Sequence, residues 1–192
     1  MSYLEDSLKK VDKPVEEESK SEKKILFTGM SQSGKSSIIQ SVFEGRKPET
    51  TSEIPATVGF LRQRIDYSGI SLYVVDLGGQ TTYLEESFSL LRESMFSSLE
   101  ILLFVVDAAN SKDFETAKQY FHRSLRNVEE YSKGAKIVVL AHKMDLISEA
   151  EKEEIIDTIS SLFDVNSLEN VEIYPTSIYE KSIFEAIDKI LA

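Results

Sequence analysis

The chain has 192 residues, a length that suits one compact domain, and its 41% hydrophobic content is enough for a sizeable core. A formal net charge of −11 disfavours nucleic acid and anionic lipid as partners, so an anionic ligand would need a local positive site. The absence of cysteine excludes disulfides, thiolate zinc sites, prenylation and palmitoylation, and Ser2 excludes N-myristoylation.

Residues 1–23, "MSYLEDSLKKVDKPVEEESKSEK", are mostly charged and read as a disordered or weakly helical tail. Leu4, Leu8 and Val11 would share one face of a helix there, a spacing that a solvated tail also produces. No apolar run approaches the ~20 residues of a membrane span, and no cleavable leader pattern opens the chain. The expectation is a soluble, cytoplasmic protein that meets membranes only through partners or through this tail.

Residues 24–192 are expected to form the single folded domain. Short β-branched runs recur from Lys24 onward: "KILFTG", "VGFLRQRIDY", "SLYVVDL", "ILLFVVDA", "KIVVLAH" and "VEIYPTS". Stretches of helical period lie at Lys35–Phe43, Asp113–Tyr131, Ser148–Phe163 and Lys181–Leu191. Continuous apolar strands alternating with helices imply an α/β fold with a mostly parallel sheet covered on both faces. "VGFLRQRIDY" alternates instead, and "YSG" at 67–69 is a turn, so this run is the one antiparallel edge strand, in a hairpin with "SLYVVDL". Ligands of such sheets bind at the carboxyl ends of strands. The loops of interest therefore follow Gly29, Leu77, Ala108, His142 and Thr176.

The first of these loops is "GMSQSGKSS", residues 29–37, which fits G-x-x-x-x-G-K-[ST] between a strand and a helix. Gly29 and Gly34 let the backbone wrap a phosphate. Ser31, Gln32, Ser33 and Ser37 complete the cradle, with backbone N–H groups turned inward. Lys35 would reach the β- and γ-phosphates, and the Ser36 hydroxyl would ligate Mg²⁺. Nucleotide kinases, ATPases and GTPases share this motif, so it chooses neither base nor reaction.

"VVDLGGQ" ends a buried strand at Asp76, an acid placed to hold the metal directly or through water. Gly79 lets the chain approach a γ-phosphate, and Gln80 can orient an attacking water. In "ETTSEIPATVGF", Thr57 is the residue expected to close over metal and γ-phosphate, because the loop meets the edge strand there; Thr50 and Thr51 compete for that role. "AHKMDL" supplies K-x-D: Asp145 can accept two hydrogen bonds from guanine that adenine does not offer, and the Lys143 stem can cover the ring. In "YPTSIYE", backbone N–H groups near Ser177 and Ile178 can meet the guanine carbonyl. His122, the acidic runs at 16–18 and 151–154, and Phe60, Phe88, Phe96 and Phe104 read as surface or packing residues. A zinc site is not expected.

In this order, the motifs resemble the Ras-superfamily small GTPases from about Lys24 to the end of the sequence. "TVGF", "VVDLGGQ" and "LLFVVDAANSKDF" look like the Arf branch. "HKMDL", "LLRESMFSSLEILLFVVD" and "TSIYEKSIFEAIDKIL" look more like the Rag/Gtr branch. The resemblance implies a P-loop NTPase G domain with a six-stranded sheet, GTP/GDP with Mg²⁺, and switches at about 46–60 and 77–92. It also implies an activating protein, an exchange factor and effectors at those switches, with roadblock/longin-type proteins or another G domain among the possible partners. Rag proteins carry a C-terminal roadblock domain, and the sequence stops at Ala192 without one. His142 stands where most of the superfamily has asparagine, as in Rag proteins, and its role toward the base is open. Ser31 stands where Ras-like proteins favour glycine, and Ile178 replaces a small residue. Three functions follow: a switch that hydrolyses GTP slowly, a scaffold that binds GTP with negligible hydrolysis, or a P-loop kinase, against which D-x-G-G-Q and K-x-D argue.

Overall fold

A computed structural model describes residues 22–51, 55, 57, 59–78 and 89–192. The sequence runs β1 (Lys23–Thr28), α1 (Lys35–Ile38), β2 (Phe60–Tyr67), β3 (Ile70–Leu77), α2 (Arg92–Phe96), β4 (Ile101–Asp107), α3 (Phe114–Tyr131), β5 (Lys136–His142), α4 (Lys152–Leu162), β6 (Val171–Thr176) and α5 (Ser182–Leu191). The six strands lie in the order β2-β3-β1-β4-β5-β6. All neighbours are parallel except β2 with β3. This is the expected P-loop GTPase architecture.

The hairpin follows from its turn. Tyr67 pairs with Ile70, and Ser68 and Gly69 between them have φ of 49° and 80°. Two consecutive positive φ values make the tight turn whose twist matches antiparallel strands. Pro175 lies in β6, at the opposite edge, where a missing N–H is tolerated.

The central strands are apolar on both faces because both are covered. On one face Met95 and Phe96 of α2, Phe114 and Phe121 of α3, and Phe163 close a cluster with Phe104 and Val139. On the other, Ile38 of α1 and Ile183, Ile187 and Leu191 of α5 pack on Phe27, Leu103 and Leu140. Phe96 and Phe104 are thus core residues, and Phe60 packs against the first cluster. His122 is a surface residue, 3.5 Å from Asp164.

Two local differences from expectation are informative. The helix expected over Lys35–Phe43 is α-helical only to Ile38 and then widens into a π-turn over Ile39–Phe43. Periodicity cannot distinguish one extra residue per turn. The helix expected from Ser148 starts at Lys152, after a turn closed by Glu151 N–H on Ser148 O at 2.9 Å. Strand order reverses at β1, so the crevice at the carboxyl end of β1, flanked by the ends of β3 and β4, is the natural ligand position. Among the described residues no helix is long and apolar enough to cross a membrane.

Candidate nucleotide and metal site

The loop after β1 fits its glycines closely. Gly29 has φ of 135°, and a Cβ there would lie 2.2 Å from the Val105 carbonyl oxygen. Gly34 has φ of 103°, and its Cβ would meet the His142 imidazole at 2.5 Å. Neither position accepts a side chain without displacing backbone or ring. Gln32 adds a third left-handed residue, with φ of 62°. Ser33 is buried, and its hydroxyl has no partner among the described residues.

Lys35 opens α1 and turns back under the loop. Its Nζ donates to the carbonyls of Gly29 at 3.0 Å and Met30 at 2.8 Å. Burial pulls its pKa down to about 8, with Asp76 opposing. A buried ammonium held by two neutral carbonyls is under-compensated and suited to a multiply charged anion.

Three oxygens converge beside it. Ser36 Oγ donates to Asp76 Oδ2 at 2.5 Å, and Thr57 Oγ1 lies 2.9 Å from Ser36 Oγ and 3.1 Å from Asp76 Oδ2. Asp76 Oδ1 is buried and has no partner among the described residues. Burial raises the Asp76 pKa, while Ser36, Lys35 and Thr57 act against it. Mg²⁺ binds oxygens at 2.0–2.1 Å in an octahedron, so neighbouring ligands lie about 2.9 Å apart. The donor set and the orphaned carboxylate oxygen fit such a cation. The Thr50 and Thr51 hydroxyls, unlike that of Thr57, donate to the carbonyls of Lys47 and Pro48. Gly78 holds Thr57 close, since its N–H donates to Gly59 O at 2.8 Å and a Cβ on it would lie 2.5 Å from Thr57 O. Gly79 and Gln80 lie outside the described residues.

The far end is assembled by β5 and β6. His142 pairs in register with Thr176, so the segments that follow emerge side by side. Lys143 is left-handed, with φ of 65°, and its Nζ is held 2.6 Å from Asp107 Oδ2. The Ser177 hydroxyl donates to Asp145 Oδ1 at 2.5 Å and accepts from the Tyr179 N–H at 3.1 Å. The Ser177 N–H donates to Ser182 Oγ at 3.0 Å. His142 is buried; its Nδ1 lies 3.0 Å from Thr176 Oγ1, and burial, with Lys143 adding, lowers its pKa to about 4. The imidazole therefore stays neutral and braces Gly34 against β6.

One cavity of about 520 Å³ spans the two ends. Its walls include Ser31, Gln32, Gly34, Lys35, Ser36, Ser37, Thr57, His142, Lys143, Asp145 and Ile178. Thr51, weighed against Thr57 from the sequence, lines it too, as do Pro55, Leu146 and Tyr179, which the sequence reading did not single out as ligand contacts. Asp107 was also missed, although the loop after Ala108 marks its neighbourhood.

The family model described as "Gtr1/RagA G protein conserved region" matches residues 24–192. The GTP-binding protein GTR1 of Saccharomyces cerevisiae is 31% identical over 90% of this chain and 57% of its own length. The GTP-binding protein gtr2 of Schizosaccharomyces pombe is 32% identical over 88% of this chain and 54% of its own. The chain thus spans little more than half of these Gtr relatives. ADP-ribosylation factor 1 of Brassica rapa is 29% identical over 87% of this chain and 85% of its own, a similarity on the Arf side. The fold matches that of the Arl6 (BBS3) small GTPase of Trypanosoma brucei, solved with the nucleotide analogue GppNp. Its TM-score is 0.68 at 20% identity, covering 89% of this chain and 96% of that one. With the family match spanning nearly all of the folded sequence, the chain belongs to the Gtr1/RagA family of G proteins, the Rag/Gtr branch of the Ras superfamily, and carries Arf-like features.

Proposed function

We propose that the chain is a guanine-nucleotide switch that binds GTP and GDP with Mg²⁺ and hydrolyses GTP slowly, with residues 24–192 as its G domain and residues 1–23 as a tail. The observation that carries this reading is one shared cavity with Lys35 and Ser36 at one end and Asp145 at the other. The GTP-binding relatives support it.

In this reading phosphate oxygens replace the Gly29 and Met30 carbonyls as acceptors for Lys35, and the loop N–H groups from Ser31 to Ser37 complete the cradle. Ser36, Thr57 and Asp76 hold the Mg²⁺, which when bound neutralises charge on the phosphate oxygens. Asp145 reads the N1–H and N2 amino group of guanine, and Gln80 orients the attacking water. No arginine stands just before Thr57, and Arg46 is tied to Gln40 at 3.0 Å and Glu44 at 3.3 Å. An activating partner would then contribute roughly 10³–10⁵-fold. An exchange factor and effectors would act at the switches, with another G domain or roadblock/longin-type proteins as candidates.

Two assays test this reading. Asp145→Asn weakens GTP and improves xanthosine triphosphate in calorimetric titration; unchanged GTP affinity removes Asp145 from base recognition. Single-turnover GTP cleavage slows in Gln80→Leu, whereas a wild-type protein that binds GTP but releases no phosphate over hours is a scaffold.

A further inference from the structure

Two large apolar side chains stand exposed at the rim of the cavity. Tyr179 is 55% exposed and Leu146 is 65% exposed, yet both line the space beside Asp145. Both positions are fixed by contacts at the base-reading end. The Tyr179 N–H donates to the same Ser177 hydroxyl that donates to Asp145. Leu146 closes the turn over Met144–Leu146, its N–H on the Lys143 carbonyl at 3.0 Å. Lys143, on another wall, is held by Asp107. Exposed apolar surface from Tyr179 and Leu146 in the same cavity lining as the Asp145 carboxylate suits a flat ligand that has an edge of donors and two π faces.

From this juxtaposition we propose that Tyr179 is a base-stacking residue: its ring covers one face of the purine whose edge Asp145 reads. This rests on the guanine-nucleotide reading above. Stacking is tolerant of base identity because every base has a π face, whereas a buried hydrogen-bond edge discriminates. Tyr179 therefore sets how tightly a purine nucleotide is held, and Asp145 sets which one. The phenol oxygen is not required, so phenylalanine serves equally.

The test uses nucleotide-stripped full chain, titrated with GDP and inosine diphosphate by calorimetry. Tyr179→Leu keeps an apolar side chain and removes the ring. Its expected effect is about a tenfold loss for both ligands, with their affinity ratio unchanged; Tyr179→Phe retains wild-type affinity. The guanine H8 proton of bound GDP is expected to shift by the ring current in wild type and Tyr179→Phe, and to lose that shift in Tyr179→Leu. Wild-type affinity and an unaltered H8 shift in Tyr179→Leu overturn the proposal. Loss of affinity in Tyr179→Phe as well also overturns it, because the hydroxyl would then be the contact. Failure of the wild-type chain to bind GDP overturns the parent reading, and is seen before any variant is made.

Discussion

His142 makes folding stability depend on acid in a way that can be isolated. The side chain is 1% exposed, lies against Gly34 and Thr176, and has its pKa pulled from the ordinary 6.5 to about 4. Because the folded pKa is depressed, the unfolded chain binds the extra proton first. The stabilisation from keeping this ring neutral is fully present above pH 6.5 and is lost as pH falls toward 4. One proton over that window corresponds to about 2 kcal/mol lost by pH 5 and about 3 kcal/mol in all. Asparagine does not titrate, so the comparison of wild type with His142→Asn by urea unfolding removes the carboxylate background. The wild-type stability minus that of the variant should fall by about 2 kcal/mol between pH 7.5 and pH 5. The sequence has only two histidines, so the variant also assigns the imidazole resonances. A His142 resonance that titrates near 6.5, or a stability difference flat across the window, refutes the buried-brace account.

Gly29→Ala should cost about 2–4 kcal/mol, since its Cβ meets the Val105 carbonyl and its φ of 135° is strained for alanine; an unchanged thermal midpoint would contradict this. Lys35→Met should stabilise the nucleotide-free fold at pH 7 by about 1–2 kcal/mol while abolishing GDP binding. The folded pKa near 8 marks an ammonium that the fold holds at a cost below that pH; urea midpoints and calorimetry read the two effects separately. Gly78→Ala should push Thr57 away from Ser36 and Asp76, because the new Cβ lies 2.5 Å from Thr57 O. GTP affinity should then fall about tenfold relative to GDP, measured by displacement of a fluorescent nucleotide; an equal effect on both nucleotides would place Gly78 outside the metal site.

Sheet and motifs are legible because their causes are local. β-branched runs such as Ile101–Val106 have to be strands buried on both faces, and Ser68-Gly69 can only be a tight turn. Gly29 and Gly34 announce themselves by type and spacing. The missed residues depend on chain crossings that no local pattern encodes. Asp107 matters because β4 and β5 end together and bring it to Lys143. Thr176 matters because its register partner is His142. Tyr179 belongs to no motif; it lines the cavity, and its N–H donates to the Ser177 hydroxyl that meets Asp145. The π-turn over Ile39–Phe43, whose Val42 and Phe43 pack in the second core cluster, has no signature in an apolar spacing that also allows a plain helix.

Mass spectrometry of the nucleotide released from purified protein tests the central claim most directly. Lys35 and Ser36 at one end of a cavity with Asp145 at the other predict GDP or GTP in the released fraction. Recovery of ADP or ATP would contradict the assignment of Asp145 as the base reader, and with it the guanine-nucleotide switch.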